Sequence, residues 1–385
     1  MTKTELYVHI PFCIQKCNYC DFISGVYDVD IRKRYVKALI KELIYHSQRM
    51  NDCEIVSIYI GGGTPTWLEV KLMDKIMKTI YKNFHVNPTA EVTIECNPKT
   101  SSEKDFNEYA SMHINRISIG LQSANENELK TLGRVHEFEH FVSTYEYARK
   151  AGFENINVDI MTGIPGQTPG TLMNTIDKVC SFHPEHISCY SLIIEENTPF
   201  FDSYQEDLLL RQKGQPTKLL PNEDEEYELY KTAQSELLSR GYGQYEISNY
   251  SKMGKNCRHN IGYWKRVPYL GVGIGAASLL DEIRYKNMTD IYEYMEHIEE
   301  NDFLIYQDAT PVKRKDAIEE FMFLGLRMTE GISRKDFFDA FGLRIDDVYG
   351  ELMEQLSAKN LLEQLDGRIL LTDCGMDLGN YVFSQ

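Results

Sequence analysis

Short β-branched runs alternate with longer amphipathic stretches through the first half of the chain, and this alternation restricts the fold more than any other feature. The runs are Leu6–Ile10, Ile55–Ile60, Glu91–Cys96, Arg116–Leu121, Asn155–Ile160 and His186–Leu192. Between them, helical patterns occupy Ile31–Met50, Leu68–Phe84, Glu103–His113, Phe138–Ala151 and Gly170–Phe182. Strand and helix in strict alternation predict parallel βαβ units, because parallel neighbours need a crossover. A partial barrel and a doubly wound sheet both satisfy that pattern. The strands end in residues an apolar interior would not select: Gly61-Gly62-Gly63-Thr64, Glu95, Gln122, Asp159 and Tyr190. In parallel α/β folds, and in barrels above all, that rim carries the chemistry.

Beyond about residue 200 the texture changes. Asn222-Glu-Asp-Glu-Glu-Tyr opens an acidic-fronted helix running to Arg240, and the acids suit its dipole. Leu270-Gly-Val-Gly-Ile-Gly-Ala-Ala-Ser278 is glycine-spaced but lacks the third spacing and the long helix of a dinucleotide fingerprint. From Thr310 the pattern is helical, through Leu326, Arg334–Phe341 and Asp346–Lys359, and Leu361–Leu371 predicts a hairpin turning at Asp366-Gly367. Helices followed by a hairpin suggest a small winged-helix-like module. The expected division is a barrel core over 1–200, an extension over 201–305 and the module over 306–385.

Composition narrows the function classes. With 41 basic and 58 acidic residues the net charge is −17, which argues against a nucleic-acid partner, since phosphate backbones need clustered Lys and Arg. A hydrophobic content of 42% supports a sizeable core. No apolar run approaches the roughly 20 residues a membrane span needs, and the start of the chain carries no signal-peptide pattern. The expectation is a cytoplasmic protein that is not integral to a membrane.

Nine cysteines are too few and too odd in number for a disulfide scaffold. Six are scattered singly, as small buried hydrophobes usually are. The others, Cys13-Ile-Gln-Lys-Cys17-Asn-Tyr-Cys20, form a C-x3-C-x2-C loop directly after the first strand. Three thiolates on one tight loop can converge on a metal site. Structural zinc takes four ligands, and His9, by strand alternation, points away from the loop. A tetranuclear iron–sulfur cluster also usually takes four cysteines, so three leave one iron with an open position. A redox pair of Cys17 and Cys20 leaves Cys13 unused.

The stretch Tyr7-Val-His-Ile-Pro-Phe-Cys-x3-Cys-x-Tyr-Cys-Asp-Phe resembles the cluster loop of radical S-adenosylmethionine (SAM) proteins. More narrowly, it is similar to the group that contains oxygen-independent coproporphyrinogen III oxidases and heme chaperones. The likeness extends through Gly61-Gly-Gly-Thr-Pro-Thr66, Glu95-Cys-Asn-Pro98, Ile119-Gly-Leu-Gln-Ser123, Leu132-Gly-Arg-Val-His136, Asp159, Gly163-Ile-Pro-Gly-Gln167 and the C-terminal module. The resemblance implies an α/β fold, a partial (β/α)6 TIM-type barrel with a small C-terminal α/β winged-helix-like domain. It implies a [4Fe-4S] cluster on Cys13, Cys17 and Cys20 whose open iron chelates the methionine end of SAM. Gly62, Gly63 and Thr64 then serve the amino-acid end and Glu95 a ribose or ammonium group. Gln122, Arg134 and Asp159 line the same mouth, Tyr7 and Tyr19 flank the cluster, and Ala277 lies near the adenine.

Within the group, the oxidases carry a further cysteine two positions after the third cluster cysteine, where this chain has Phe22, and an N-terminal extension that would precede Cys13. Conversely, His259-Asn260-Ile-Gly-Tyr263-Trp264 matches the His-Asn-x-x-Tyr-Trp signature of the heme-chaperone members. A neutral imidazole is a common heme ligand, and Tyr263 and Trp264 offer flat faces with polar handles. The leading expectation is a heme chaperone that binds a cluster, SAM and heme, with His259 on the heme iron, and delivers heme to acceptor proteins such as respiratory enzymes. The alternative is an oxygen-independent coproporphyrinogen III oxidase, and the third reading is a zinc-stabilised barrel.

Overall fold

A computed structural model describes the whole chain, Met1–Gln385. Its first half repeats strand and helix: β1 (Thr2–Ile10), α1 (Val29–Ser47), β2 (Cys53–Gly62), α2 (Val70–Asn83), β3 (Val86–Cys96), α3 (Glu103–Ser111), β4 (Arg116–Gln122), α4 (Glu126–Thr131), α5 (Phe138–Lys150), β5 (Ile156–Thr162), α6 (Pro169–Cys180) and β6 (His186–Ser191). Helix starts follow local chemistry. Asp28 caps α1 by accepting from Asp30 and Ile31 N–H, and capping boxes open α3 at Ser102 and α6 at Thr168.

The six strands lie parallel in sequential order β1-β2-β3-β4-β5-β6. Sequential order is the barrel arrangement; a doubly wound sheet reverses direction at a switch point. The barrel stays open. β1 pairs on its free side with β9 (Tyr269–Val272), which leads to β10 (Ala277–Leu280), β11 (Ile283–Asn287) and β12 (Tyr306–Pro311). β6 pairs with β8 (Asn249–Ser251), itself beside β7 (Gly243–Glu246). After β6, α7 (Pro199–Gln212) and α8 (Glu223–Ser239) precede β7, and the short helix α9 (Arg258–Trp264) precedes β9.

Strand alternation divides the barrel into two environments. Outward residues such as Leu6, Val8, Ile58, Ile60, Ile94, Ile117, Val158 and Ile187 join one apolar core with the surrounding helices. Inward positions are polar: Glu5, Tyr7 and His9 on β1, Ser57 and Tyr59 on β2, Glu91, Thr93 and Glu95 on β3, Arg116 and Ser118 on β4, Asn157 and Asp159 on β5, His186 and Ser188 on β6. The register aligns them across neighbours, Glu5 with Ser57, Ser57 with Glu91, Thr93 with Arg116 and Asn157 with His186. Barrel interiors are ordinarily filled by branched apolar side chains. This lumen carries a hydrogen-bonded polar layer instead.

β12 belongs to the large sheet, and a separate small core begins beyond it with Ile318, Leu326, Phe337, Ile345, Met353 and Ile369. There the hairpin Leu362–Leu365 and Arg368–Leu371 turns at Asp366 and Gly367, both at positive φ as a two-residue type I′ turn requires. Glu320 ties this module to the barrel, accepting from Arg266 and from Arg284.

Candidate functional site

The cysteine loop is fixed at both ends. Cys13 N–H donates to Gly25 O and Gly25 N–H to Pro11 O, each at 2.9 Å. In the middle, Asn18 N–H reaches Leu132 O at 3.0 Å and Asn18 Nδ2 reaches Thr131 O at 3.0 Å. A Cβ on Gly133 would meet the Asn18 side chain at 2.9 Å, so the loop docks closely only on glycine there. Burial raises the Cys13 thiol and pushes that of Cys20 up to about 11. Donors face the sulfurs: Thr64 Oγ1 lies 3.6 Å from Cys13 Sγ and Arg134 Nη1 lies 3.5 Å from Cys17 Sγ. No three His, Cys, Asp or Glu side chains gather around one point as a mononuclear ion requires. A cube-shaped cluster spreads its thiolates further apart.

Next to the loop, a cavity of about 540 Å³ opens at the C-terminal ends of the strands. It collects Tyr19, Gly62, Gly63, Thr64, Glu95, Gln122, Arg134 and Asp159. An adjoining cavity of about 400 Å³ shares Gly62 and Glu95 and adds Tyr7, His9, Tyr263 and Ala277. Every residue expected at the SAM mouth therefore faces one of two adjoining spaces. Gly62 sits at φ +114°, where a Cβ would stand 2.4 Å from His9 Cε1, and a Cβ on Gly63 would meet the Phe12 backbone at 2.9 Å. Glycine is required at both positions by the close approach of His9 and of the Phe12 backbone.

Glu95 is the acid of this site. It accepts from Tyr59 OH at 3.0 Å and from Gly62 N–H at 3.0 Å. Burial, reinforced by Asp159, raises it to about 7. Asp159 lies within β5 rather than at its end, takes a hydrogen bond from Asn157 at 2.7 Å, and is also raised, mainly by burial. Gln122 occupies the left-handed region at φ +72° where the β4–β5 register shifts, and Tyr190 OH donates to its Oε1 at 2.8 Å. A non-glycine held there is strain kept at a functional rim. Arg134 is no surface ion pair: it donates to Cys17 Sγ, Asn97 Oδ1 and Gly120 O.

His9 corrects one expectation. It faces the same side as Tyr7, and its Nε2 lies 2.7 Å from Ile23 O, within the cysteine loop, while its Nδ1 meets Tyr7 OH at 3.0 Å. Alternation directs it inward, and the loop folds back over the lumen to reach it. Burial lowers its pKa to about 4, so it stays neutral.

The signature segment is α9, and it lies across the lumen beneath the main cavity. Glu91 Oε1 accepts from Arg258 N–H at 2.9 Å and from His259 N–H at 3.3 Å, satisfying the exposed start of the helix. His259 is 1% exposed. Its Nδ1 meets Ser57 Oγ at 2.8 Å, its Nε2 meets Tyr263 OH at 3.1 Å, and its ring stacks on Tyr59 at 5.1 Å. Both ring nitrogens are thus engaged, and burial, with Arg116 nearby, lowers its pKa to about 3. A Cβ on Gly262 would stand 2.0 Å from Glu5 Oε1, so the helix can lie this close only with glycine facing Glu5. Asn260 lines the main cavity and Tyr263 the adjoining one. Trp264 and Tyr263 also border a third space of about 360 Å³ with Arg266 and Phe323, and Trp264 Nε1 is buried there without a partner.

Sequence reasoning missed Tyr59, Ser57, Glu5, Asn97 and Arg116. The available signal, for all but Asn97, was the period-2 run of polar residues along each strand, which marks a polar, hydrogen-bonded lumen rather than an apolar one.

The Radical SAM superfamily model matches residues 7–179 and the HemN C-terminal domain model residues 312–378. The chain is 36% identical to the heme chaperone HemW of Bacillus subtilis (strain 168), covering 98% of this chain and 97% of that one. It is 31% identical to the heme chaperone HemW of Escherichia coli (strain K12), covering 94% and 92%. The structure of coproporphyrinogen III oxidase from Escherichia coli superposes with a TM-score of 0.83 at 20% identity, covering 100% of this chain and 89% of that one. At that identity the likeness shows the fold.

Proposed function

This chain belongs to the HemW family of the radical SAM superfamily, and from that premise we propose that it is a heme chaperone, which binds heme and passes it to acceptor proteins. The observation that carries this reading is the near full-length likeness to named heme chaperones. The oxidase alternative has the common fold in its favour and nothing more specific.

Cys13, Cys17 and Cys20 would hold a [4Fe-4S] cluster. The donor set supports this: three thiols on a doubly anchored loop, hydrogen-bond donors on two of the sulfurs, and no fourth protein ligand. When bound, the cluster supplies a low-potential electron and an iron corner open to an outside ligand. SAM would lie across the two adjoining cavities, with its amino-acid end on Gly62, Gly63 and Thr64. Glu95 would accept from its ribose or ammonium, Gln122, Arg134 and Asp159 would line the mouth, and Tyr7, Tyr19 and Ala277 would pack on it. The gathering of Gly62, Gly63, Thr64 and Glu95 along one cavity, with the Glu95 carboxyl raised to about 7, supports that placement.

Heme would dock beside α9, against Tyr263 and Trp264, with Asn260 facing the SAM cavity. Ligation by His259 then requires its Nε2 to exchange Tyr263 OH for iron. Heme titration followed by the Soret band tests this on wild type, His259→Ala and Tyr263→Phe. The band should weaken in His259→Ala and persist in Tyr263→Phe, which frees Nε2. An undiminished band in His259→Ala removes the ligand assignment, and wild type that takes up no heme removes the function.

No helix is long and apolar enough to cross a membrane. All nine cysteines are free thiols, which suits a reducing compartment, and we assign the protein to the cytoplasm.

A further inference from the structure

Asn97 touches none of the three loop cysteines, yet it joins the two side chains that do. Its Nδ2 donates to Thr64 Oγ1 at 2.7 Å, and its Oδ1 accepts from Arg134 Nη2 at 2.6 Å. Thr64 in turn faces Cys13 Sγ and Arg134 faces Cys17 Sγ. The result is one continuous chain from sulfur to sulfur through a single amide.

The direction of every bond in that chain is forced. A guanidinium has donors only, so the amide oxygen must face Arg134 and the amide N–H must face Thr64. A hydroxyl carries one proton. Thr64 meets Asn97 as a donor, so its own proton is directed at its other partner, Cys13 Sγ. Asn97 is itself well fixed. Pro98 restricts it to extended backbone, and its carbonyl accepts from Thr100 Oγ1 at 2.6 Å. Gly120 leaves the room: its carbonyl accepts from Arg134 Nη2 at 2.6 Å, and a Cβ there would stand 2.8 Å from Asn97 Oδ1.

We propose that Asn97 is a positioning residue that sets the reduction potential of the cluster on Cys13, Cys17 and Cys20, by aiming hydrogen bonds at two of the three ligand sulfurs. The proposal rests on the cluster reading above. Hydrogen bonds to cluster sulfurs stabilise the more negative, reduced state and so raise the potential.

Asn97→Asp keeps the shape, reverses the sense and adds a charge that lowers the potential in its own right, so the charge-neutral Thr64→Val and the combination of the two carry the test. An acceptor then faces Thr64, whose proton turns away from Cys13, while Arg134 keeps its partner. Thr64→Val deletes the same hydrogen bond directly. Full-length protein, reconstituted anaerobically with iron and sulfide, is titrated with redox dyes while electron paramagnetic resonance (EPR) reads the reduced cluster. No turnover is needed. In Asn97→Asp the ratio of reduced to oxidised cluster at a fixed potential should fall about tenfold, which is about 59 mV for a one-electron couple. In the double variant the two effects should combine to less than their product, because both act on one bond. An unshifted potential in Asn97→Asp, or effects that multiply fully, overturns the role of Asn97. Should Asn97→Asp hold no cluster, Asn97→Ser is judged by the same two criteria. Wild type that takes up no iron and sulfide defeats the cluster reading itself, whereas a normal wild-type cluster with unshifted variants defeats only this proposal.

Discussion

Replacing His259 with Ala separates a ligand from a strut. The imidazole is wedged between Tyr59, Ser57 and Tyr263 at 1% exposure, so its removal leaves a ring-sized hole in a closed layer. Deleting a buried ring costs up to about 3–5 kcal/mol. Ser57 keeps Glu5 as a partner at 3.0 Å, whereas Tyr263 OH loses its contact, for about 1 kcal/mol more. A loss of about 4–6 kcal/mol is a large part of the roughly 5–15 kcal/mol that holds a domain together. It lowers the melting temperature by roughly 5–7 °C at this size. The protein should still be folded at 25 °C, so the heme titration remains readable there. Urea unfolding of the heme-free protein measures the loss, with pH as a second handle. His259 is neutral in the fold, at about 3 against an unfolded value near 6.5. The unfolded chain therefore takes the proton first as pH falls. The stabilisation is complete above 6.5 and declines at about 1.4 kcal/mol per pH unit below it, roughly 2 kcal/mol by pH 5. The variant's slope should be shallower than the wild type's by that amount, the remainder belonging to other buried histidines such as His9 and His136. A variant within about 0.5 kcal/mol of wild type, with the slope intact, refutes the strut.

Other perturbations reach the rest of the site. Glu95 at about 7 should make SAM affinity rise with pH, tenfold per unit below 7 and level above 8, and Glu95→Gln should abolish the rise, as calorimetry at several pH values would record. In Gly62→Ala the new methyl displaces His9 and strains a φ of +114°, so SAM binding should fall at least tenfold and stability by about 3 kcal/mol, checked by calorimetry and melting. Glu320→Ala leaves Arg284 without its carboxylate and Arg266 with Glu282 alone, removing the tie between barrel and module, and limited proteolysis should then cut sooner after Pro311.

The legible part of the fold was its outward face. Leu6, Val8, Ile58, Ile60, Ile117 and Val158 alternate because helices cover them, and that spacing is local information. The three cysteines and the strand-end residues other than Asp159, which lies inside β5, were equally legible, since strand direction alone puts them on one rim. The inward half was not. Glu5, Ser57 and Arg116 sit at positions where a barrel usually carries aliphatics, and nothing local says that a helix from residues 258–264 will lie across them. The signature segment was legible as a motif but not as a place, because its partners Glu5 and Glu91 lie more than 160 residues away in sequence. His9 was misread because alternation fixes which face a side chain takes but not where a later loop returns to meet it.

Low-temperature EPR of the anaerobically reconstituted, reduced protein, with and without SAM, tests the account most directly. A [4Fe-4S] signal that changes shape on adding SAM, and disappears when Cys13, Cys17 and Cys20 are serine, is the predicted result. A signal indifferent to SAM, or bound zinc in place of iron and sulfide, contradicts it.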